Sequence, residues 1–218
     1  MIGKEKILVL LVLLTGSVFA EGPLVEDTVF VAFDTETTGF SPQNDRLVEI
    51  GAVKFRGDGE VLATTNWLIN PQREIPYYAT KKHGITSEMV APAPVFTTVW
   101  LEFEDFCGDE ILMAHNATFD VGFLRAELER AEIDPPALPV IDTLPLFRKW
   151  FPRALSHSLE KLSIYLGVSG DTYHRAEADS FHIINIFKVG LKHRSTLTLR
   201  QLEHDANGLK WLDGKRRR

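Results

Sequence analysis

The sequence TVFVAFDTE, residues 28–36, decides the fold of this chain. Its β-branched and aromatic residues predict a buried strand that ends in two acids. Because side chains alternate between the two faces of a strand, Asp34 and Glu36 point to the same side, about 6–7 Å apart along the chain. Carboxylates this close repel each other, and a cation between them turns the repulsion into attraction. The pair is therefore a candidate metal site, although two solvated surface acids would show the same spacing.

The elements that follow this strand predict an α/β fold. Two more strands, Leu47–Phe55 and Val61–Ile69, are joined by a turn at Arg56–Glu60 and can form an antiparallel meander. Helices and short strands then alternate, and these later strands need helical crossovers. We therefore predict a mixed five-stranded sheet flanked by helices. The later elements are predicted at Val95–Phe106 (helix), Glu110–His115 (strand), Ala117–Ile133 (helix), Val140–Asp142 (strand), Leu144–Trp150, Ser158–Leu166 and Arg175–His193 (helices).

The composition is that of a globular protein with a sizeable core. Of 218 residues, 44% are hydrophobic and 25% are charged, which excludes disordered and collagen-like proteins. The net charge of −6 argues against a protein that holds nucleic acid mainly through an extended basic surface. It does not exclude a nuclease, because bound cations supply positive charge at an acidic site. The only cysteine, Cys107, excludes an intramolecular disulfide and a cysteine-based zinc site, and we assign it no function.

The first twenty residues have the layout of a secretory signal peptide. Lys4 and Lys6 precede the apolar run Ile7–Leu14, and the segment ends in a small residue, Ala20. This pattern predicts export to the periplasm or the outside, with cleavage before Glu21. The alternatives are a cytoplasmic protein or one anchored by the leader, although residues 7–20 would span only about 21 Å of a ~30 Å hydrocarbon core.

The remaining chain is predicted to contain one folded domain. Residues 21–27 are expected to be a linker, residues 28–194 the domain, and residues 195–218 a C-terminal extension with a basic tail.

Two further acids are candidates for the site at the end of the first strand. Asp120 lies in the first turn of a predicted helix, where Asn116 is a candidate N-cap and where any acid stabilises the helix dipole. Asp179 follows His174 by five residues and lies one turn into another predicted helix. All four acids fall at element ends or first turns, where α/β proteins usually place ligand sites. Oxygen ligands without thiols favour Mg²⁺ or Mn²⁺ over zinc.

Three separated motifs carry a family resemblance. They are Phe33–Gly39 (FDTETTG), which Arg46–Val53 follows, then His115–Leu124 (HNATFDVGFL) and His174–Asp179 (HRAEAD). In this order, over residues 28–187, they resemble the DnaQ-like DEDDh 3′→5′ exonucleases, in the style of the DNA polymerase III epsilon and PolC-type exonuclease domains. The chain departs from the family pattern at Ser180, where alanine is frequent.

The resemblance implies a ribonuclease-H-like fold and an exonuclease domain over residues 28–194. The implied reaction removes nucleoside 5′-monophosphates from a 3′ end, foremost that of single-stranded DNA. The resemblance implies that two divalent cations, Mg²⁺ or Mn²⁺, are held by Asp34, Glu36, Asp120 and Asp179, and that His174 is the general base. It also implies a pocket for the terminal nucleotide, formed by Thr35, Thr37, His115, Asn116 and Phe119. Phe119 could instead be a residue of the hydrophobic core alone.

The sequence leaves two alternative functions open. The same site could trim RNA, because discrimination of a 2′-OH can depend on one contact. The chain could also be a non-catalytic nucleic-acid-binding module or polymerase accessory, and a polymerase is one partner to consider besides a nucleic acid 3′ end. The complete set of acids and histidine favours an enzyme.

Overall fold

The computed structural model describes residues 22–168 and 174–215. The strands are β1 (Val29–Thr37), β2 (Leu47–Arg56), β3 (Val61–Leu68), β4 (Ile111–Ala114), β5 (Pro139–Asp142) and β6 (Lys210–Trp211). The helices are α1 (Tyr77–His83), α2 (Ser87–Val90), α3 (Phe96–Cys107), α4 (Thr118–Arg130), α5 (Thr143–Trp150), α6 (Leu159–Leu166), α7 (Ala176–Leu191) and α8 (Leu199–Asp205).

The strands form one mixed sheet in the order β3-β2-β1-β4-β5-β6. β1, β2 and β3 form the antiparallel meander, while β4 lies parallel to β1 and β5 parallel to β4. The predicted mixed, ribonuclease-H-like sheet flanked by helices is confirmed. It has a sixth strand that was not predicted, the two-residue β6, which pairs antiparallel with β5. Two residues are too few to show the alternating pattern by which strands are found in a sequence.

β1 is buried on both faces because helices cover both sides of the sheet. Val31 and Phe33 pack into a core shared with α3 and α4, whereas Phe30 and Ala32 pack into a second core shared with α5, α7 and α8. This double burial explains why the strand is apolar without interruption until Asp34. The same alternation directs the acids at the end of β1 toward α7 and the residue between them toward α4.

A small third cluster of buried residues holds α1 beside the end of β1. It contains Val48 of β2 with Ile75, Ala79, Ile85 and Val90 from the segment around α1 and α2. Neither helix was predicted, because helices of seven and four residues are too short to show a helical apolar period. The cluster fixes the position of the last turn of α1, which carries two lysines and a histidine.

In the structure, the expected linker and the expected C-terminal extension both pack against the domain. Val25, in the expected linker, is buried among the residues that α7 and α8 cover, and its neighbour Leu24 forms a β-bridge with Thr198. In the expected C-terminal extension, Leu202 and Leu212 are fully buried. Single apolar residues among glycines, prolines and charges give no periodic signal, so their burial depends on tertiary contacts that the sequence does not display.

The predicted leader, residues 1–20, and the arginines at 216–218 lie outside the described residues. The leader therefore stays a prediction. Within residues 22–168 and 174–215, no helix has the length and apolar character needed to cross a membrane.

Candidate active site

The ten residues predicted for the site line one pocket of about 360 Å³. It opens where the parallel strands β1 and β4 end, which is the usual place for a ligand site in an α/β sheet. The residues that the structure brings together here are Asp34, Thr35, Glu36, Thr37, His115, Asn116, Phe119, Asp120, His174 and Asp179.

Three carboxylates converge at the pocket. Asp34 and Glu36 come from β1 and Asp179 from the first turn of α7, and one carboxylate oxygen of each lies within 4.8 Å of the other two. The backbone N–H of His174 donates to Asp179 Oδ2 over 3.2 Å, which ties the loop before α7 to this cluster. A strand end and a helix start from distant parts of the sequence therefore meet in one acidic cluster.

The fourth acid, Asp120, approaches from the first turn of α4 and is only 2% exposed. The hydroxyl of Thr35 donates to Asp120 Oδ1 over 2.7 Å. Burial raises the pKa of Asp120 to about 7, and the hydrogen bond from Thr35 works in the opposite direction. Since the hydroxyl of Thr37 donates to the carbonyl of Gly39, both threonine hydroxyls are committed to the protein. The predicted contacts of these threonines with a nucleotide stay a prediction, in which the hydroxyl oxygens can still accept a hydrogen bond.

The acids are electrostatically unfavourable neighbours. Burial raises the pKa of Asp34 well above its ordinary value, and the charges of Asp120 and Asp179 raise it further. Burial also raises the pKa of Glu36 to about 8, with added repulsion from Asp179 and Glu49. A divalent cation relieves both effects, because it binds the charged forms of several carboxylates together. The donor set, oxygens alone with three of them within 4.8 Å, fits Mg²⁺ or Mn²⁺.

His174 lies in a backbone conformation that is held by its neighbours. Its φ of 60° falls in the left-handed region, which non-glycine residues rarely adopt. The next residue, Arg175, donates from Nε and Nη2 to the carboxylate of Glu49, with the shortest contact at 2.6 Å. The backbone N–H of Ala176 donates to Glu49 Oε2 over 2.9 Å. Glu49 of β2 therefore anchors the start of α7 and, with it, both His174 and Asp179.

The role of Glu49 was not predicted, although the sequence contains a signal for it. Glu49 stands among the apolar residues at the start of β2, opposite Glu36 in the sheet register, and its side chain is fully buried. A buried carboxylate needs a charged or hydrogen-bonding partner. The sequence shows this need but not the partner, because Arg175 lies 126 residues away.

α1 adds a cation and a histidine to the pocket. Lys82 lines the pocket, and its charge opposes the rise that burial causes in the pKa of Glu36 and of Asp179. The backbone N–H of Ile85 donates to His83 Nδ1 over 3.0 Å, which leaves Nε2 to donate to the Thr37 carbonyl over 3.3 Å. His83 thus fixes the end of β1, and Lys82 brings a positive charge that acts on Glu36 and Asp179.

His115 and Asn116 form another wall of the pocket. His115 hydrogen-bonds to the His157 carbonyl and to Thr143 Oγ1, and burial lowers its pKa to about 4, so that it is neutral at pH 7. The prediction of Asn116 as the N-cap of α4 is wrong. Ala117 takes the N-cap position, and Asn116 has a φ of 63° with its exposed side chain beside the pocket.

Asp142, at the end of β5, lies behind this wall. It accepts the backbone N–H groups of Asn116 and Leu144, and through the second of these it caps α5. Phe119 is partly buried and packs against Phe123, with ring centroids 4.9 Å apart, so it belongs both to the core and to the pocket lining.

This fold, with an acidic cluster and a histidine at the carboxyl end of β1, defines a nuclease of the DnaQ-like class. Residues 31–187 match the exonuclease family named after RNase T, and the chain belongs to this family. The prediction of a DnaQ-like 3′→5′ exonuclease is confirmed.

The comparisons also show how the chain relates to individual members. It is 37% identical over 172 residues to the DNA polymerase III subunit epsilon of Treponema pallidum, covering 78% of the chain and 80% of that relative. It is 41% identical over 157 residues to the PolC-type DNA polymerase III of Latilactobacillus sakei, covering 72% of the chain but only 11% of that polymerase. Among solved structures, exonuclease X in complex with 5′-overhanging duplex DNA aligns with a TM-score of 0.64 and 27% identity, covering 81% of the chain and 99% of exonuclease X.

Proposed function

We propose that this protein removes nucleoside 5′-monophosphates from the 3′ end of single-stranded DNA with two divalent cations, Mg²⁺ or Mn²⁺. The observation that carries the proposal is the convergence of Asp34, Glu36 and Asp179, with carboxylate oxygens within 4.8 Å of one another, at the base of a pocket that Asp120 also lines. DNA is the proposed polymer because the relatives named above are DNA polymerase III proteins and the aligned exonuclease X is bound to DNA.

In this proposal Asp34, Glu36, Asp120 and Asp179 would hold the cations, and the bound cations would supply positive charge to activate a water and to stabilise the leaving 3′ oxygen. His174 accepts the proton of the attacking water as general base. Water attacks the terminal phosphorus, the bond from phosphorus to the 3′ oxygen of the preceding nucleotide breaks, and that oxygen takes up a proton. The anchoring of α7 by Glu49 and Arg175 keeps His174 beside the acids during this step.

The remaining pocket residues orient the terminal nucleotide. A volume of about 360 Å³ lies within the range of small-ligand pockets, so it suits one nucleotide. Phe119 offers a half-buried ring for contact with the sugar or base, and Asn116 offers an exposed amide. His115 is neutral and packs as a wall, so it contributes no charge to a phosphate. Lys82 is the proposed cation for that phosphate.

The reaction is tested by incubating the full chain with 5′-labelled single-stranded DNA and RNA of the same sequence in Mg²⁺, Mn²⁺ or EDTA. We expect a ladder that shortens from the 3′ end of DNA, is abolished by EDTA and is absent with Asp179→Asn. Asp105→Asn, which removes an exposed acid from α3, is the matched control and should keep the activity. Shortening of RNA alone would identify an RNA exonuclease. Binding of either polymer without shortening under any metal would identify a binding module.

We also propose that the leader directs the protein out of the cytoplasm, on the support of the sequence pattern of residues 1–20. Determination of the N-terminal residue in cell fractions tests this proposal. A mature protein that begins at Glu21 outside the cytoplasm is the expected result, and full-length protein confined to the cytosol would refute it. A polymerase partner stays a prediction.

A further inference from the structure

We propose that a cationic groove beside the active site binds the phosphate backbone of the nucleic acid strand upstream of its 3′ end. The groove, called here the C-terminal groove, has a volume of about 1050 Å³ and lies between α4, Pro145 of α5 and the segment 206–215. The proposal rests on the proposed function, because a 3′ end in the active site sets the direction from which the rest of the strand arrives.

The charge of the groove fits a polyanion. Among the described residues its lining includes Arg125, Lys210 and Lys215 and contains no Asp or Glu, although the whole chain carries a formal charge of −6. Asp142, outside the lining, lies 3.7 Å from Lys210 Nζ and offsets part of that charge. Arg125 donates from Nε to the Leu212 carbonyl over 2.6 Å and from Nη2 to the Trp211 carbonyl over 2.7 Å. Because these partners are neutral, they hold the guanidinium in place without cancelling its charge. Local positive charge of this kind attracts phosphates.

The groove adjoins the active-site pocket across the wall that contains Asn116 and Asp142. Lys210 Nζ lies 3.7 Å from Asp142 Oδ2, and the other oxygen of this carboxylate accepts the backbone N–H of Asn116 over 3.1 Å. Asn116 lines the pocket. On α4, Thr118 lines the groove and the next residue, Phe119, lines the pocket. Consecutive residues of α4 therefore line the groove and the pocket, so the two sites are neighbours.

The segment that completes the groove lies beyond the part of the chain that matches the exonuclease family. The match ends at residue 187, whereas α8 and β6 follow it. The segment is nevertheless built into the domain, because β6 pairs with β5 and Leu212 is fully buried between them and α4. Lys210 and Lys215 are thus presented by a fixed scaffold, and the groove is a property of this chain that the family match does not include.

The charge-removing variant is Lys210→Gln with Lys215→Gln, made in the full chain. Its matched control is Lys161→Gln with Lys192→Gln, which removes the same charge from exposed lysines of α6 and of the end of α7. Two substrates are compared: a single-stranded DNA 20-mer, and the p-nitrophenyl ester of thymidine 5′-monophosphate, which has no upstream strand. Binding of the fluorescein-labelled 20-mer in EDTA is measured by anisotropy as a readout that needs no hydrolysis.

We expect the groove variant to raise KM for the 20-mer about tenfold and to change KM for the ester less than twofold. The slope of log affinity for the 20-mer against log salt should fall by about 1.4, since each phosphate contact of a single strand contributes about 0.7. The control pair should leave the KM values and the slope unchanged.

Three outcomes would overturn the proposal. They are a salt slope that is unchanged in the groove variant, an equal loss of affinity for the 20-mer in the control pair, and an equal rise in KM for both substrates in the groove variant. The last would mean that Lys210 acts on the pocket through Asp142. If neither substrate is hydrolysed, the proposed function fails, while the anisotropy measurement still decides whether the groove binds DNA.

Discussion

The hydroxyl of Thr35 donates to Asp120 Oδ1 over 2.7 Å, and this bond joins the end of β1 to the first turn of α4. Thr35→Val keeps the size of the side chain but removes the donor. The pKa of Asp120, which burial raises to about 7, should then rise further. A hydrogen bond to a charged group contributes about 1.5–3 kcal/mol, so we expect the Mg²⁺ concentration for half-maximal activity to increase at least tenfold.

The matched control is Thr35→Ser, which restores the hydroxyl and should return the metal requirement to within about twofold of the native value, as expected for a retained hydrogen bond. Titrations of activity against Mg²⁺ at constant pH provide the measurement. An equal metal requirement in the valine variant and the native protein would show that Asp120 does not depend on this bond.

The pairing of Arg175 with Glu49 predicts that stability and kcat respond differently when one or both residues are replaced. Glu49→Met leaves Arg175, whose side chain is 40% exposed, and the backbone N–H of Ala176 without their acceptor, and should lower the free energy of unfolding by about 1–3 kcal/mol. Glu49→Met combined with Arg175→Met removes both charges and should recover most of that loss. Because neither Met anchors the loop before α7, kcat should stay at least tenfold below the native value in the double variant.

Urea unfolding and steady-state kinetics measure the two quantities on the same preparations. A double variant that recovers both stability and kcat would mean that the ion pair is structural only and does not position His174. A kcat that falls while KM stays constant is the expected signature of a positioning role.

The acidic cluster predicts an unusual dependence of stability on pH in the metal-free protein. The pKa of Glu36 rises from 4.5 to about 8 on folding, so the folded state keeps a proton that the unfolded state has lost. The stabilisation that this bound proton contributes is fully present below about pH 4.5 and is lost as the pH rises through 8. In EDTA the Tm should therefore decrease between these values, and Mg²⁺ at pH 8 should restore it.

Glu36→Gln tests the cause of this dependence. In EDTA at pH 8 the variant should have a higher Tm than the native protein and a weaker decrease with pH, although it loses exonuclease activity. Glu26→Gln changes an exposed glutamate and should reproduce the native profile. A Glu36→Gln variant with the same Tm profile as the native protein would contradict the electrostatic cost assigned to the cluster.

The sequence predicted those parts of the site that lie in local patterns. β1 is apolar without interruption up to Asp34, and Asp120 and Asp179 stand in the first turns of helices, so strand and helix patterns make these acids candidates for one site. Their assignment to a common metal site comes from the family resemblance. The prediction of the fold follows from the same patterns, because a meander followed by alternating helices and strands permits few sheet orders.

The unpredicted features depend on contacts between distant residues or on elements too short to have a period. The partner of Glu49 lies 126 residues away, and β6 has only two residues, which pair with β5 next to the buried Leu212. α1 begins after Pro76 without a side-chain cap and ends at Gly84 in the left-handed region. Its place at the pocket follows from the burial of Ala79 and Ile85, and only the folded chain shows this burial.

The close approach of α7 to β2 at Gly51 predicts a steric effect on the site. A Cβ at this position would lie 2.1 Å from the backbone nitrogen of Glu177 and 2.3 Å from the carbonyl carbon of Ala176. Because both are backbone atoms, Gly51→Ala must push the start of α7 away from the sheet. We expect unfolding free energy to fall by about 1–3 kcal/mol, as in other overpacked cores, and kcat to fall at least tenfold because Asp179 moves with the helix.

Two variants separate this displacement from smaller effects. Gly122 lies inside α4, and a Cβ at this position would lie 3.4 Å from Pro42 Cγ, which is an ordinary contact. Gly122→Ala should keep or raise stability, because alanine favours a helix by about 1 kcal/mol over glycine. The hydroxyl of Ser180 lies 2.8 Å from the Ala176 carbonyl and 3.1 Å from the Gly51 carbonyl, and its one proton can be donated to either. Ser180→Ala removes this hydrogen bond without adding volume and should cost about 1 kcal/mol while keeping kcat. The free energy of unfolding in urea and kcat are measured for the three variants. A Gly51→Ala protein with native kcat would contradict the predicted displacement of Asp179 with α7.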